Sequence, residues 1–136
     1  MPVQYLLDTN IVSYLLKGRM PEVRTRYDHA PVGTIAISSV TEAEIVYGLE
    51  RIPGAMRRQL ATAIFFASVA RLAWDSETAH RYGKLRAEQE RKGKPLSTED
   101  LMIAAHALAL GVTLVTHDAA FSFVDGLKTE DWTVAG

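Results

Sequence analysis

Apolar residues in this chain fall into two kinds of run, and the two kinds alternate. Short, nearly continuous blocks occur at Pro2-Val3-Gln4-Tyr5-Leu6-Leu7, Gly33-Thr34-Ile35-Ala36-Ile37-Ser38 and Val112–Thr116. They lack the in–out alternation of a strand with one wet face, so they predict strands buried on both faces. Between them lie helical stretches: Asn10–Lys17, a segment opened by Pro21, Thr41–Glu50, Gly54–Arg71, Ser76–Lys92 and Ser97–Leu110. Pro21 suits a first helical turn, while Gly18, Gly93 and Gly111 stand where helices should stop. The last helix is apolar almost all round, which requires burial between the sheet and other helices. Shorter strands are expected at Leu72-Ala73-Trp74 and, as an edge, at Trp132-Thr133-Val134. Strand alternating with helix predicts an α/β fold whose parallel sheet is covered on both faces. Right-handed crossovers would then bring the strand ends to one edge.

No repeat, linker or low-complexity tract divides the 136 residues, so residues 1–136 are expected to form one domain. The absence of cysteine excludes disulfides, zinc–thiolate sites and thiol catalysis. The opening residues show no basic n-region, and no apolar stretch is long enough to span a bilayer; the expected setting is cytoplasmic, with no membrane partner. A net charge of −1 means that any nucleic-acid binding must rest on local patches. Two basic groups are available: Arg51, Arg57 and Arg58, and then Arg81, Lys84, Arg86, Arg91, Lys92 and Lys94. Each has a plainer reading as a solvated helix face.

Four acids stand beyond strands or near helix starts: Asp8, Glu44, Asp100 and Asp118. Asp8 ends Tyr5-Leu6-Leu7-Asp8, and Asp118 ends the matching Leu114-Val115-Thr116-His117-Asp118. Each has a structural alternative. Asp8 suits a helix cap, Glu44 a capping box with Thr41, Asp100 the same box with Ser97, and Asp118 a turn. Taken together at one sheet edge, four carboxylates would raise one another's pKa unless a hard cation lay among them. Such an ion can lower the pKa of bound water and stabilise a transferring phosphate. The four histidines, His29, His80, His106 and His117, offer no metal-binding pair. His106 falls about 240° round the helix from Asp100, off its face, and is expected to be a packed or surface histidine. Neither nucleotide-binding glycine spacing occurs, nor a Gly-x-Ser-x-Gly elbow.

At these residues the chain resembles the PIN-domain family, and more narrowly the toxin ribonucleases of VapBC toxin–antitoxin pairs. The resemblance runs nearly end to end. It is carried by Leu7-Asp8-Thr9-Asn10, by Ser38–Gly48 with its acid at Glu44, by Gly93–Leu96 with Asp100–Ala107, and by Leu114–Asp118 with Phe121 and Glu130-Asp131-Trp132. It implies a three-layer α/β/α sandwich with a central parallel sheet, a Mg²⁺ or Mn²⁺ site, and endonucleolytic cleavage of RNA, with tRNA a plausible target. It also implies a cognate VapB-like antitoxin, a homodimer and larger toxin–antitoxin assemblies. One departure is Ala120, where relatives often carry an acid just before the closing phenylalanine; many have Asn at the place of Asp118.

On this reading Asp8 and Asp100 are the principal metal ligands, and Asp118 completes the site directly or through water. Glu44 orients water or binds a second ion, and Thr9, Asn10 and Thr116 hold carboxylates or phosphate in place. Tyr47, Leu49, Ile52, Ile64, Phe65 and Phe66 are candidates for a dimer face, with the core as their alternative home. Two rivals stand beside the nuclease. An aspartate-nucleophile phosphatase would want a second Asp where Asn10 stands. A PIN-like binding module with an inactive site would gain nothing from acids facing phosphate.

Overall fold

The computed structural model describes residues 2–94 and 96–135. Strands β1 (Tyr5–Leu7), β2 (Ile35–Ser38), β3 (Ala70–Leu72), β4 (Thr113–Val115) and β5 (Thr129–Glu130) form one sheet in the order β3-β2-β1-β4-β5. Every neighbouring pair is parallel. The helices are α1 (Thr9–Lys17), α2 (Pro21–His29), α3 (Ser39–Glu50), α4 (Met56–Ser68), α5 (Ser76–Lys92) and α6 (Thr98–Leu110), with a 3-10 turn at Ala119–Phe123.

The continuous apolar runs are explained by the two cores they feed. Leu6, Ala36 and Leu114 point to one face, where Leu85 of α5 and Leu101, Ile103 and Ala104 of α6 meet them. Leu7, Ile37 and Val115, one residue on, point to the other face, against Ile11, Val12 and Leu15 of α1, Val23 of α2, Ile45 of α3 and Phe65 of α4. Successive strand side chains alternate faces, so a strand clad on both sides must be apolar at every position. The result is the expected sandwich, with α5 and α6 on one side of the sheet and α1–α4 on the other. Gly93 and Gly111, at φ +65° and +70°, end α5 and α6 in the left-handed cap that glycine adopts without strain. Among the described residues no helix is long and apolar enough to cross a membrane.

Several element boundaries differ from expectation. The helix expected over Gly54–Arg71 stops at Ser68, and Val69 is already extended (φ −109°, ψ 146°). Strand β3 is therefore Ala70–Leu72 rather than Leu72–Trp74, because pairing of Ala70–Leu72 with Ala36–Ser38 outweighs the helical pattern. The final strand is Thr129–Glu130, not Trp132–Val134. Asp131 captures the Thr133 N–H at 2.9 Å and turns the chain, while Trp132 packs edge-on against Tyr5. Finally, α3 begins at Ser39, because Ser38 caps it by accepting from Val40 N.

Candidate active site

The sheet order places β1 beside β4, with the chain winding outward in opposite directions from that pair. The crevice beyond their carboxyl ends is the topological switch point, where open parallel sheets bind ligands. Leu7 pairs with Ile37 on one side and Val115 on the other. Continuing the register by one residue aligns Ser38, Asp8 and Thr116 across three strands. That row faces α5 and α6, since the row before it faces α1–α4.

Asp8 is buried, 5% exposed, and caps α1 by accepting from Ile11 N at 2.9 Å. Burial pushes its carboxyl above the usual range, and the charges of Asp100 and Asp118 push it the same way; hydrogen bonds from Thr116 and Ile11 oppose them. Asp100 lies in the first turn of α6, where Ser97 Oγ accepts from its backbone N–H at 3.1 Å. Its carboxyl is also raised, first by desolvation and then by Asp118 and Glu99. Glu44 reaches the same place from α3. Because Ser38 caps that helix, Glu44 is six residues beyond the cap and is not the partner in a Thr41 capping box. Asp8, Thr9, Asn10, Glu44 and Asp100 line one cleft of about 280 Å³.

Asp118 stands at the margin. It does open a turn, accepting from Ala120 N at 2.9 Å, while its own N–H donates to Thr116 Oγ1 at 3.0 Å. Thr116 is thus hydrogen-bonded to both the Asp8 carboxyl and the Asp118 backbone. Thr9 is directed elsewhere: its hydroxyl donates to that of Thr41 at 3.2 Å, joining α1 to α3. Sequence reasoning missed Ser97 and Glu99, which line the cleft beside Asp100. The signal was present in Ser97-Thr98-Glu99-Asp100, where a cap fixes the direction of the acids behind it. Of the two readings of His106, packed or surface, burial decides for the first, while His117 is exposed and donates from Nδ1 to Asp131 at 2.8 Å.

Among the described residues no three carboxylate or imidazole groups are gathered closely enough to hold a metal ion by themselves. The acids ring the cleft instead. That suits a hard, partly hydrated divalent ion, which needs oxygen donors and keeps several waters. Two carboxylates held above their usual range by burial and by neighbouring acids also suit it, because a cation in the cleft would relieve both.

The sequence matches the model of the PIN domain over residues 5–127. This chain belongs to the PIN-domain family. Its relatives include the tRNA(fMet)-specific endonuclease VapC of Shigella flexneri, 36% identical over 96% of this chain and 99% of that one. Ribonuclease VapC2 of Haemophilus influenzae is 34% identical over 96% and 98%. Among solved structures, VapBC2 from Rickettsia felis bound to a promoter DNA fragment matches with a TM-score of 0.88. There the identity is 33%, covering 97% of this PIN domain and 99% of that chain.

Proposed function

We propose that this PIN domain is a divalent-metal-dependent endoribonuclease and the toxin of a type II toxin–antitoxin pair, acting in the cytoplasm. The observation that carries the reading is the meeting of Asp8, Glu44 and Asp100 in one cleft at the switch point of the sheet. Asp8 and Asp100 would hold Mg²⁺ or Mn²⁺, with Asp118 contributing from the margin directly or through water. Such an ion lowers the pKa of a bound water and offsets charge on the phosphate.

The chain's own groups do the rest. Glu44, which reaches the cleft from α3, orients the attacking water. Thr116 holds Asp8 and the Asp118 backbone in fixed relation. Asn10 is exposed at the cleft, placed to donate to the scissile phosphate. In-line attack on phosphorus leaves a 5′-phosphate and a 3′-hydroxyl.

A groove of about 350 Å³ shares Thr9 and Glu44 with the cleft and is lined by Lys17, Arg51 and Arg58. It offers phosphate contacts beside the acids, and RNA of a nearly neutral protein's choosing needs such a local patch. The second basic group is more occupied: Arg86 pairs with Glu90 and Lys92 with Asp125.

A VapB-like antitoxin and a second copy of the chain are the proposed partners, in keeping with the VapBC complex that this fold matches. Their surface is supported by apolar residues left exposed on α3, on α4 and in the turn between them. Tyr47, Ile52 and Ile64 are exposed, whereas Phe65 belongs to the core; Met56 and Leu60 join Ile64 on one side of α4. The test is cleavage of total tRNA with Mg²⁺ or Mn²⁺, beside Asp8→Asn and EDTA controls. Discrete fragments absent from both controls are expected; equal cleavage by the mutant would overturn the assignment.

A further inference from the structure

Helices α3 and α6 each bring an acid, Glu44 and Asp100, to the same cleft, so something must fix the distance between them. The bodies of the two helices pack together, yet the residues that join them below the cleft are polar. His106, 1% exposed in the otherwise apolar centre of α6, shares a 2.9 Å hydrogen bond with Ser38 Oγ. Ser38 is both the last residue of β2 and the cap of α3. Its oxygen already accepts from Val40 N at 3.1 Å, so its proton is available to Nδ1. Burial favours the neutral ring that such a bond needs, against a smaller opposing influence from Asp75.

The two acids hang symmetrically from this point. Glu44 is six residues after Ser38 on α3, and Asp100 is six residues before His106 on α6. Each is roughly 9 Å along its helix from the shared bond. Trp74 ties the same two helices again. Its backbone N–H donates to Ser39 Oγ at 3.0 Å, and its indole N–H donates to the Met102 carbonyl at 2.9 Å. A hydrophobic contact alone would tolerate small slips between the helices; directional bonds at both Ser38 and Ser39 do not.

We propose that His106 is a positioning residue, and that its bond to Ser38, braced by Trp74, sets the gap between Glu44 and Asp100. The proposal rests on the nuclease reading, because the gap matters only if the two acids serve one site. A purely structural histidine would affect how readily the chain unfolds but not what the folded protein binds.

The experiment measures Mn²⁺ binding by the electron paramagnetic resonance of the free ion, with full-length protein shown by circular dichroism to be folded. His106→Leu keeps the bulk and removes the bond, so α6, which carries Asp100, loses its anchor to Ser38 on the strand beside Asp8. Mn²⁺ affinity should then fall about tenfold, the size found for groups that orient metal ligands. His106→Asn places an amide where Nδ1 was and should recover most of the loss. Ser38→Ala also removes the α3 cap, so it should lose at least as much as His106→Leu, and adding His106→Leu to it should cost little more, since the bond they share is already gone. Folded His106→Leu binding Mn²⁺ like the wild type would overturn the proposal, as would His106→Asn as weak as His106→Leu. If wild type itself fails to bind Mn²⁺, the metal-dependent reading falls together with this one. If the wild type binds Mn²⁺ and folded His106→Leu binds it equally well, this proposal falls alone.

Discussion

Asp8 and Asp118 end two adjacent parallel strands in similar phrases, yet the fold treats them differently. After β1 the chain enters α1 at once, so Asp8 remains in the sheet's hydrogen-bond ladder, its N–H donating to the Val115 carbonyl at 3.0 Å. Its side chain is buried beneath the helix that it caps. After β4 the chain runs two residues further before its acid. The residue level with Asp8 is therefore Thr116, and Asp118 lies out in solvent at the start of a 3-10 turn. Two residues of register separate a buried, strained carboxylate from an exposed one. The lesson is that a strand-end acid is defined by its distance from the last ladder pair, not by the phrase that precedes it.

The sharpest break of this comparison is Asp8→Asn. Asparagine caps a helix as well as aspartate does, so α1 should persist while the ligand charge disappears. Loss of about a hundredfold or more in kcat is expected, since an ion's stabilisation of developing charge is worth several kcal/mol. Cleavage assays at saturating RNA and metal would read it. Turnover within a few-fold of wild type would remove Asp8 from the mechanism.

Thr116→Val acts on both acids. It deletes the hydroxyl that donates to Asp8 and accepts from the Asp118 N–H. A loss of about tenfold in metal affinity is expected, in the range found for groups that orient ligands. Isothermal titration with Mn²⁺ would measure it, and an unchanged affinity would show that the two strand ends are independently held. Asp118→Asn should cost less than either, about threefold in kcat, because an exposed side chain acting through water is readily replaced. A loss as large as that of Asp8→Asn would abolish the distinction drawn between them.

How far the site was legible in the sequence follows from the same contrast. The sheet was visible because Leu6-Leu7, Ala36-Ile37 and Leu114-Val115 are apolar on both faces, a pattern that few other arrangements permit. Asp8 and Asp100 were visible because each sits directly at a strand end or helix cap. Strand β3 was obscured because an edge strand of three residues carries no periodicity that competes with the helix before it. The end of the chain was obscured because Trp132 is apolar for a tertiary reason, its packing on Tyr5, and not as part of a strand. The Ser38–His106 bond joins residues 68 positions apart, and no local pattern records it.

The smallest effect distinguishes the two acids without any RNA. A carboxylate whose pKa is raised in the folded state binds its proton more tightly there than in the unfolded chain. Below the unfolded value, near 3.8 for Asp8, both states are protonated and the group has no effect on stability. As pH rises from there through the folded pKa, the unfolded chain releases its proton first, and stability falls until the folded group has ionised too. Metal-free protein should therefore lose thermal stability over that window, on account of Asp8 and Asp100, and hold the deficit at neutral pH. Asp8→Asn should flatten the slope and raise the metal-free Tm at pH 7, whereas Asp118→Asn, at the exposed margin, should do so less. Mn²⁺ at pH 7 should raise the Tm of the wild type, because an ion that binds only the folded state adds RT ln(1 + [Mn²⁺]/Kd). Differential scanning calorimetry from pH 4 to 8, with and without Mn²⁺, would read all three. If Asp8→Asn lowered the metal-free Tm at pH 7, the buried carboxylate would be a net support of α1, and its strain would have been assigned to the wrong side of the balance.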